Sequence, residues 1–137
     1  MPRLLQRFVP SRKRLQHLAQ CWARNHPDTL ASRNNLAGVY ESAGDLARAT
    51  PLYEQTLADR VRVLGEDHPD TLTSRNNLAY TYKVAGDLGR AIPLYEQTLT
   101  GRVRVLGEDH PKTETVRSDL AVAVAERDGG AGEARQS

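Results

Sequence analysis

Large aromatic, sulfur-containing and acidic residues are each scarce somewhere in this chain. Its 137 residues include one Cys, one Met, one Trp and one Phe, with five Tyr. A single cysteine, Cys21, excludes an internal disulfide and suits a reducing compartment, so the expected location is cytoplasmic. No apolar run approaches the ~20 residues needed to span a bilayer. The first 25 residues also lack the uninterrupted apolar segment of a secretory leader. Acids are absent from that same stretch, which carries Arg3, Arg7, Arg12, Lys13, Arg14 and Arg24, whereas the remainder holds 13 basic and 17 acidic residues. A basic head of this kind is one way to meet nucleic acid or an anionic membrane. A solvated helix face is the favoured reading. Catalytic signatures are missing too, with no Gly-rich phosphate loop, HExxH or GxSxG. Cys21 has only His17 near it in sequence and no third orienting group, so no catalytic residue is assigned.

What the chain does have is repetition. Residues 26–67 and 68–109 align at a period of 42 and differ at nine positions, and a third copy begins at His110. Tandem identity at such a period marks a solenoid, in which each unit buries its apolar face against its neighbours. The expected organisation is a basic, degenerate N-terminal capping helix (1–25), repeat 1 (26–67), repeat 2 (68–109), a half repeat holding only a first helix (110–127) and a polar, Gly-rich, disordered tail (128–137).

Each unit reads as two helices. Pro69 suits the first helical position and Asp70 the first turn. Leu72, Leu78, Ala79 and Tyr82 recur near a 3.6 period, and Gly86 ends the helix in the left-handed conformation. Asp87 caps the second helix, whose stripe is Leu88, Ala91, Tyr95, Leu99, Val103 and Leu106. The first copy repeats this from Pro27 to Gly65. Pro51 and Pro93 lie inside the second helices, where each removes a backbone hydrogen bond and predicts a bend. Ahead of the repeats, Leu15, Leu18, Ala19 and Trp22 form a stripe with Ser11 as cap, in register with a worn second helix. His26, His68 and His110 invite a metal reading. Ligands must lie about 2.1 Å from one ion, whereas equivalent points on stacked units are roughly 10 Å apart. A helix-start role is therefore assigned, with no metal and no cofactor.

The pattern Leu36, Ala37, Tyr40, Gly44, Ala49, Tyr53, repeated at Leu78, Ala79, Tyr82, Gly86, Ala91 and Tyr95, resembles the tetratricopeptide repeat. The longer unit, with NNLA in its first helix and LGEDHP between units, resembles kinesin light chain repeats. It resembles still more the long arrays of actinobacterial proteins attached to signalling ATPases. A HEAT or armadillo unit also fits the period, but the Ala and Gly placements favour the tetratricopeptide unit. The resemblance implies an all-α solenoid of stacked antiparallel helix pairs wound as a right-handed superhelix. Arg33, Arg75 and Arg117 stand where that family has Trp or Leu, which predicts a thinner core, and Thr56 and Thr98 replace a small Ala.

The resemblance also implies a function, namely a non-catalytic scaffold that binds a protein or peptide partner in the concave groove of its first helices. The groove positions are Ala31, Asn35, Gly38 and Ser42, then Thr73, Asn77, Tyr80 and Val84, then Thr115, Asp119 and Val122. Asn35 and Asn77 would hold a ligand backbone, since an amide both donates and accepts, with Thr73, Tyr80 and Asp119 adding selectivity. Five of the nine differences fall in the first helix and three of them on this stripe (31/73, 38/80, 42/84). The competing expectation is self-association as a homodimer through Leu120 and Val124, bared on an uncapped C-terminal helix. Nucleic-acid or membrane binding by the basic head ranks third.

Overall fold

The computed structural model describes residues 11–136, with side chains omitted at Leu18, Cys21 and 130–136. Six helices follow one another in this range: α1 (Arg12–Asn25), α2 (Pro27–Ser42), α3 (Leu46–Leu64), α4 (Pro69–Val84), α5 (Leu88–Leu106) and α6 (Pro111–Gln136). The paired helices have equal lengths, 16 residues for α2 and α4 and 19 for α3 and α5. Each packs on the next in sequence, as a solenoid requires. Among the described residues no helix is long and apolar enough to cross a membrane.

The helix boundaries follow from local chemistry. Each repeat starts on a histidine whose Nδ1 accepts from the backbone N–H two residues on: His26 from Asp28 (3.2 Å), His68 from Asp70 (3.1 Å) and His110 from Lys112 (3.1 Å). That satisfies one of the orphan donors of the first turn. Gly44 and Gly86, at φ 80° and 84°, then reverse the chain. The following Asp45 and Asp87 N–H groups return to the Tyr40 and Tyr82 carbonyls, both at 2.8 Å. Those aspartates cap the next helices, each Oδ1 accepting at 3.2 Å from the N–H of Arg48 or Arg90. α3 and α5 run unbroken through Pro51 and Pro93.

The core forms two linked clusters, one around Ala37, Ala49, Tyr53 and Leu78, the other around Ala79, Ala91, Ile92, Tyr95, Val116 and Ala123. Tyr82 and Leu94 touch both. The fully buried Thr56 and Thr98 sit where alanine was expected and turn their hydroxyls to their own helix, donating to the Leu52 and Leu94 carbonyls at 2.8 and 2.7 Å.

Three expectations are corrected. Past Asp128 the chain is helical to Gln136: the segment has no proline, and a helix already nucleated gains a bond per added residue even where glycine weakens it. On α1 the expected stripe residues Leu15, Ala19 and Trp22 are exposed, Leu15 by 50% and Trp22 by 68%. α1 is held by its last turn, through Arg24 on Asp59 and Trp22 against the His26 ring at 4.8 Å. The side of α2 facing away from α4 is accordingly bare, with Leu36 and Val39 exposed while Leu78 and Thr81, their equivalents, are buried. On α6, Leu120 and Val124 are half-buried against the core, and Ala121, Val122 and Ala125 are exposed. Leu120 belongs to the stripe Thr113, Val116, Leu120, Ala123 that packs towards α5, so it is not the bare face expected. Arg3 and Arg7 lie outside the described residues, as does the Cys21 side chain.

Candidate functional site

The arginines expected to thin the core instead organise charge. Asp59 is fully buried and accepts from three of them: Arg33 Nη1 at 2.7 Å, Arg62 Nη2 at 2.9 Å and Arg24 Nε at 3.3 Å. Burial pushes its carboxyl up, but the hydrogen bonds from Arg33 and Arg24 and the charges of Arg24 and Arg62 outweigh this and hold it below the ordinary value. Arg62 also donates to Asn25. One unit on, Gly101 occupies the position of Asp59. There Arg75 pairs with Glu66, and Arg104 donates to both oxygens of Asp67 at 2.9 Å. An open cavity of about 480 Å³ is bordered by Gly101, Arg75 and Arg104, while Leu72 fills the space that a side chain at 101 would take. Arg117, in the third unit, pairs with Glu114 on its own helix.

The first helices present the face on which binding residues were expected. Thr73, Asn77, Tyr80 and Val84 follow one another at steps of four, three and four along α4, and Ala31, Asn35, Gly38 and Ser42 do so on α2. Thr115, Asp119, Val122 and Glu126 continue the stripe on α6. Asn35 and Thr73 are exposed, Tyr80 and Val84 are 44% and 51% exposed, and Asn77 and Asp119 are half-buried. All six therefore lie where a partner reaches them.

Several residues missed by the sequence reading lie with them. Asn34 and Asn76, next to the expected pair and in step with Gly38 and Tyr80, each carry a buried Oδ1 without a partner. Tyr53 and Tyr95 reach this face from the second helices: the Tyr53 hydroxyl lies 3.5 Å from the point where a Gly38 Cβ would stand. Burial, then the charge and hydrogen bond of Glu41, push the Tyr53 hydroxyl up to about 12. Glu41 also accepts from Thr81 at 2.9 Å, tying α2 to α4. In the second unit Lys83 replaces Glu41 and turns to Glu126 at 3.9 Å, so the fully buried Tyr95 hydroxyl is left without a partner. Burial raises its pKa most, followed by Asp119, Tyr80, Glu126 and Glu41. The Glu41-to-Lys83 difference is the sequence signal for this vacancy, readable once the tyrosine is known to reach the face.

Residues 28–102 match the tetratricopeptide repeat family. Among solved structures, the kinesin light chain-type, nearly identical TPR-like repeats of Podosopora anserina superpose with a TM-score of 0.72 at 31% identity, over 88% of this chain and 58% of theirs. BtubC (BKLC) from P. vanneervenii gives a TM-score of 0.72 at 23% identity, over 84% of this chain and 46% of its own, a likeness of fold. The chain thus spans about half the length of these structures. No curated protein matches it.

Proposed function

Because the chain belongs to the tetratricopeptide repeat family, a fold of protein–protein interaction scaffolds, we propose that it is a non-catalytic scaffold binding an extended peptide or protein segment along the concave face of its first helices. The observation that carries this is the accessible stripe repeated at the same helical steps on successive first helices, Ala31, Asn35, Gly38 and Ser42 on α2 and Thr73, Asn77, Tyr80 and Val84 on α4. An extended peptide offers backbone N–H and C=O groups at regular intervals. Asn35 and Asn77, one in each unit on this stripe, would hold that backbone, independent of its side chains.

The test uses a peptide selected by display against the intact chain. Asn35→Ala with Asn77→Ala should weaken that peptide about tenfold, the loss of roughly one net hydrogen bond per site, with an unchanged circular-dichroism melt. Undiminished binding by the double variant removes these residues from the site.

A further inference from the structure

The face between α4 and α6 is acidic, and it contains one hydroxyl with nothing to bind. Asp119 and Glu126 lie on the α6 stripe and Glu41 on neighbouring α2, with Lys83 of α4 reaching Glu126 at 3.9 Å. Glu41 is engaged with Thr81, and Lys83 is shared with Glu126. Asp119 feels Arg102 from α5, but Arg102 is itself buried and donates to the Lys112 carbonyl at 3.0 Å. Asp119 therefore keeps its acceptor capacity and is half-exposed. It stands where both other units carry an asparagine, Asn35 and Asn77, so the acid is particular to this place.

Tyr95 is the independent observation. Its ring is fully buried, its hydroxyl has no hydrogen-bond partner, and the charges of Asp119, Glu126 and Glu41 disfavour its ionisation. In the first unit the same hydroxyl position is served by Glu41. In the second the acceptor has been exchanged for lysine, and Tyr80 has replaced the glycine that lies over the hydroxyl. Tyr80, Val84 and Val122 are each 44–51% exposed, so an apolar floor borders the acids.

We infer that this place is a subsite for a lysine or arginine side chain of an extended peptide. The side chain's methylene stem lies along Val84 and Val122, its cation meets Asp119 and Glu126 beside the Tyr80 ring, and the neighbouring peptide carbonyl accepts from Tyr95. Every element has its reason. Long basic side chains cover apolar surface while their heads stay polar, an aromatic face attracts a cation, and complementary charge selects among peptides. Tyr80, being exposed, turns aside to open the hydroxyl. The inference rests on the concave-face reading above and names the chemistry of its ligand.

The experiment is an array of immobilised nine-residue peptides of Ser, Thr and Val whose central residue is Arg, Lys, Gln or Glu, probed with the full chain. The Arg and Lys peptides should be retained about tenfold better than Gln, with Glu weakest. Raising salt should narrow the gap. Asp119→Asn with Glu126→Gln should erase the Arg-over-Gln preference, and Tyr95→Phe should lower retention of all peptides alike. Each variant is checked by its thermal melt, and Asp119→Asn alone and Glu126→Gln alone serve if the pair unfolds. Equal retention of Arg and Glu peptides, with binding still lost in the Asn35/Asn77 alanine variant, overturns the basic subsite and leaves the groove standing. No retention of any peptide overturns both.

Discussion

The joint between α1 and the first repeat and the joint between the two full repeats contain the same arginines and take their acid from opposite sides. At the first, Asp59 comes from the second helix, while the preceding segment contributes Arg24 and Asn25. At the second, the preceding segment contributes Glu66 and Asp67 at those very positions, and the second helix offers only Gly101. Arg33 and Arg62 correspond to Arg75 and Arg104. In one a single buried carboxylate holds three arginines; in the other two arginines each take a carboxylate of their own, the buried Arg75 an exposed Glu66 and Arg104 an Asp67, beside an open cavity. A solenoid joint is thus a requirement on the pair of surfaces, which either surface can satisfy.

Removing the acid from the first joint should do the most damage. Asp59→Ala leaves Arg24, Arg33 and Arg62 facing one another with their hydrogen bonds unmade, a loss of about 3 kcal/mol in denaturant unfolding. The same carboxyl gives an acid signature. Its folded pKa lies below the unfolded value, so its contribution is complete above the ordinary carboxylate range and is lost as pH falls through the lower folded value. Asp59→Asn should flatten that limb of the stability profile.

A middle-sized effect is expected on transplanting the acid. A Cβ at position 101 would stand 2.6 Å from Leu72 Cδ2, and a new carboxylate would join Glu66 and Asp67. Gly101→Asp alone should cost about 2 kcal/mol. Adding Glu66→Arg supplies the counterpart of Arg24, with Asp67 still standing where the first joint has Asn25, and should recover more than half of the loss. A double-mutant cycle measures the coupling, and an additive result would mean the two joints are not equivalent. Smallest of all, Glu66→Gln should cost under about 1 kcal/mol, because Glu66 is 67% exposed and already screened. Unfolding in 1 M salt should bring it level with the parent.

Much of this architecture is legible in the sequence because it is local. The period, the Pro and Gly punctuation and the aspartate caps act within a few residues, and the helices begin and end where those residues stand. The histidines could be placed at helix starts, though not identified as the capping acceptors they are. What escaped the sequence depends on contacts across helices. Asp59 lies 26 residues from Arg33 and 35 from Arg24, and its replacement by Gly101 looks like drift until the stacking brings Glu66 and Asp67 to the same place. The candidate site was half legible. Its accessible stripe follows from helical steps, whereas Tyr95 belongs to a second helix and becomes part of the face only through packing. The stripe of α1 misled for the opposite reason: a periodic apolar pattern states that a helix has a side to bury, and here Leu15 and Trp22 are half or more exposed.

Units this alike invite a folding error, the skipping of one repeat, since every apolar contact would find a near-identical substitute one unit along. The uneven placement of acid forbids it. A chain folded with α1 stacked on the second unit would set Arg24 against Gly101, beside Arg75 and Arg104, three cations with no carboxylate among them. Nine differences in 42 positions thus include one that tells each surface which neighbour is its own.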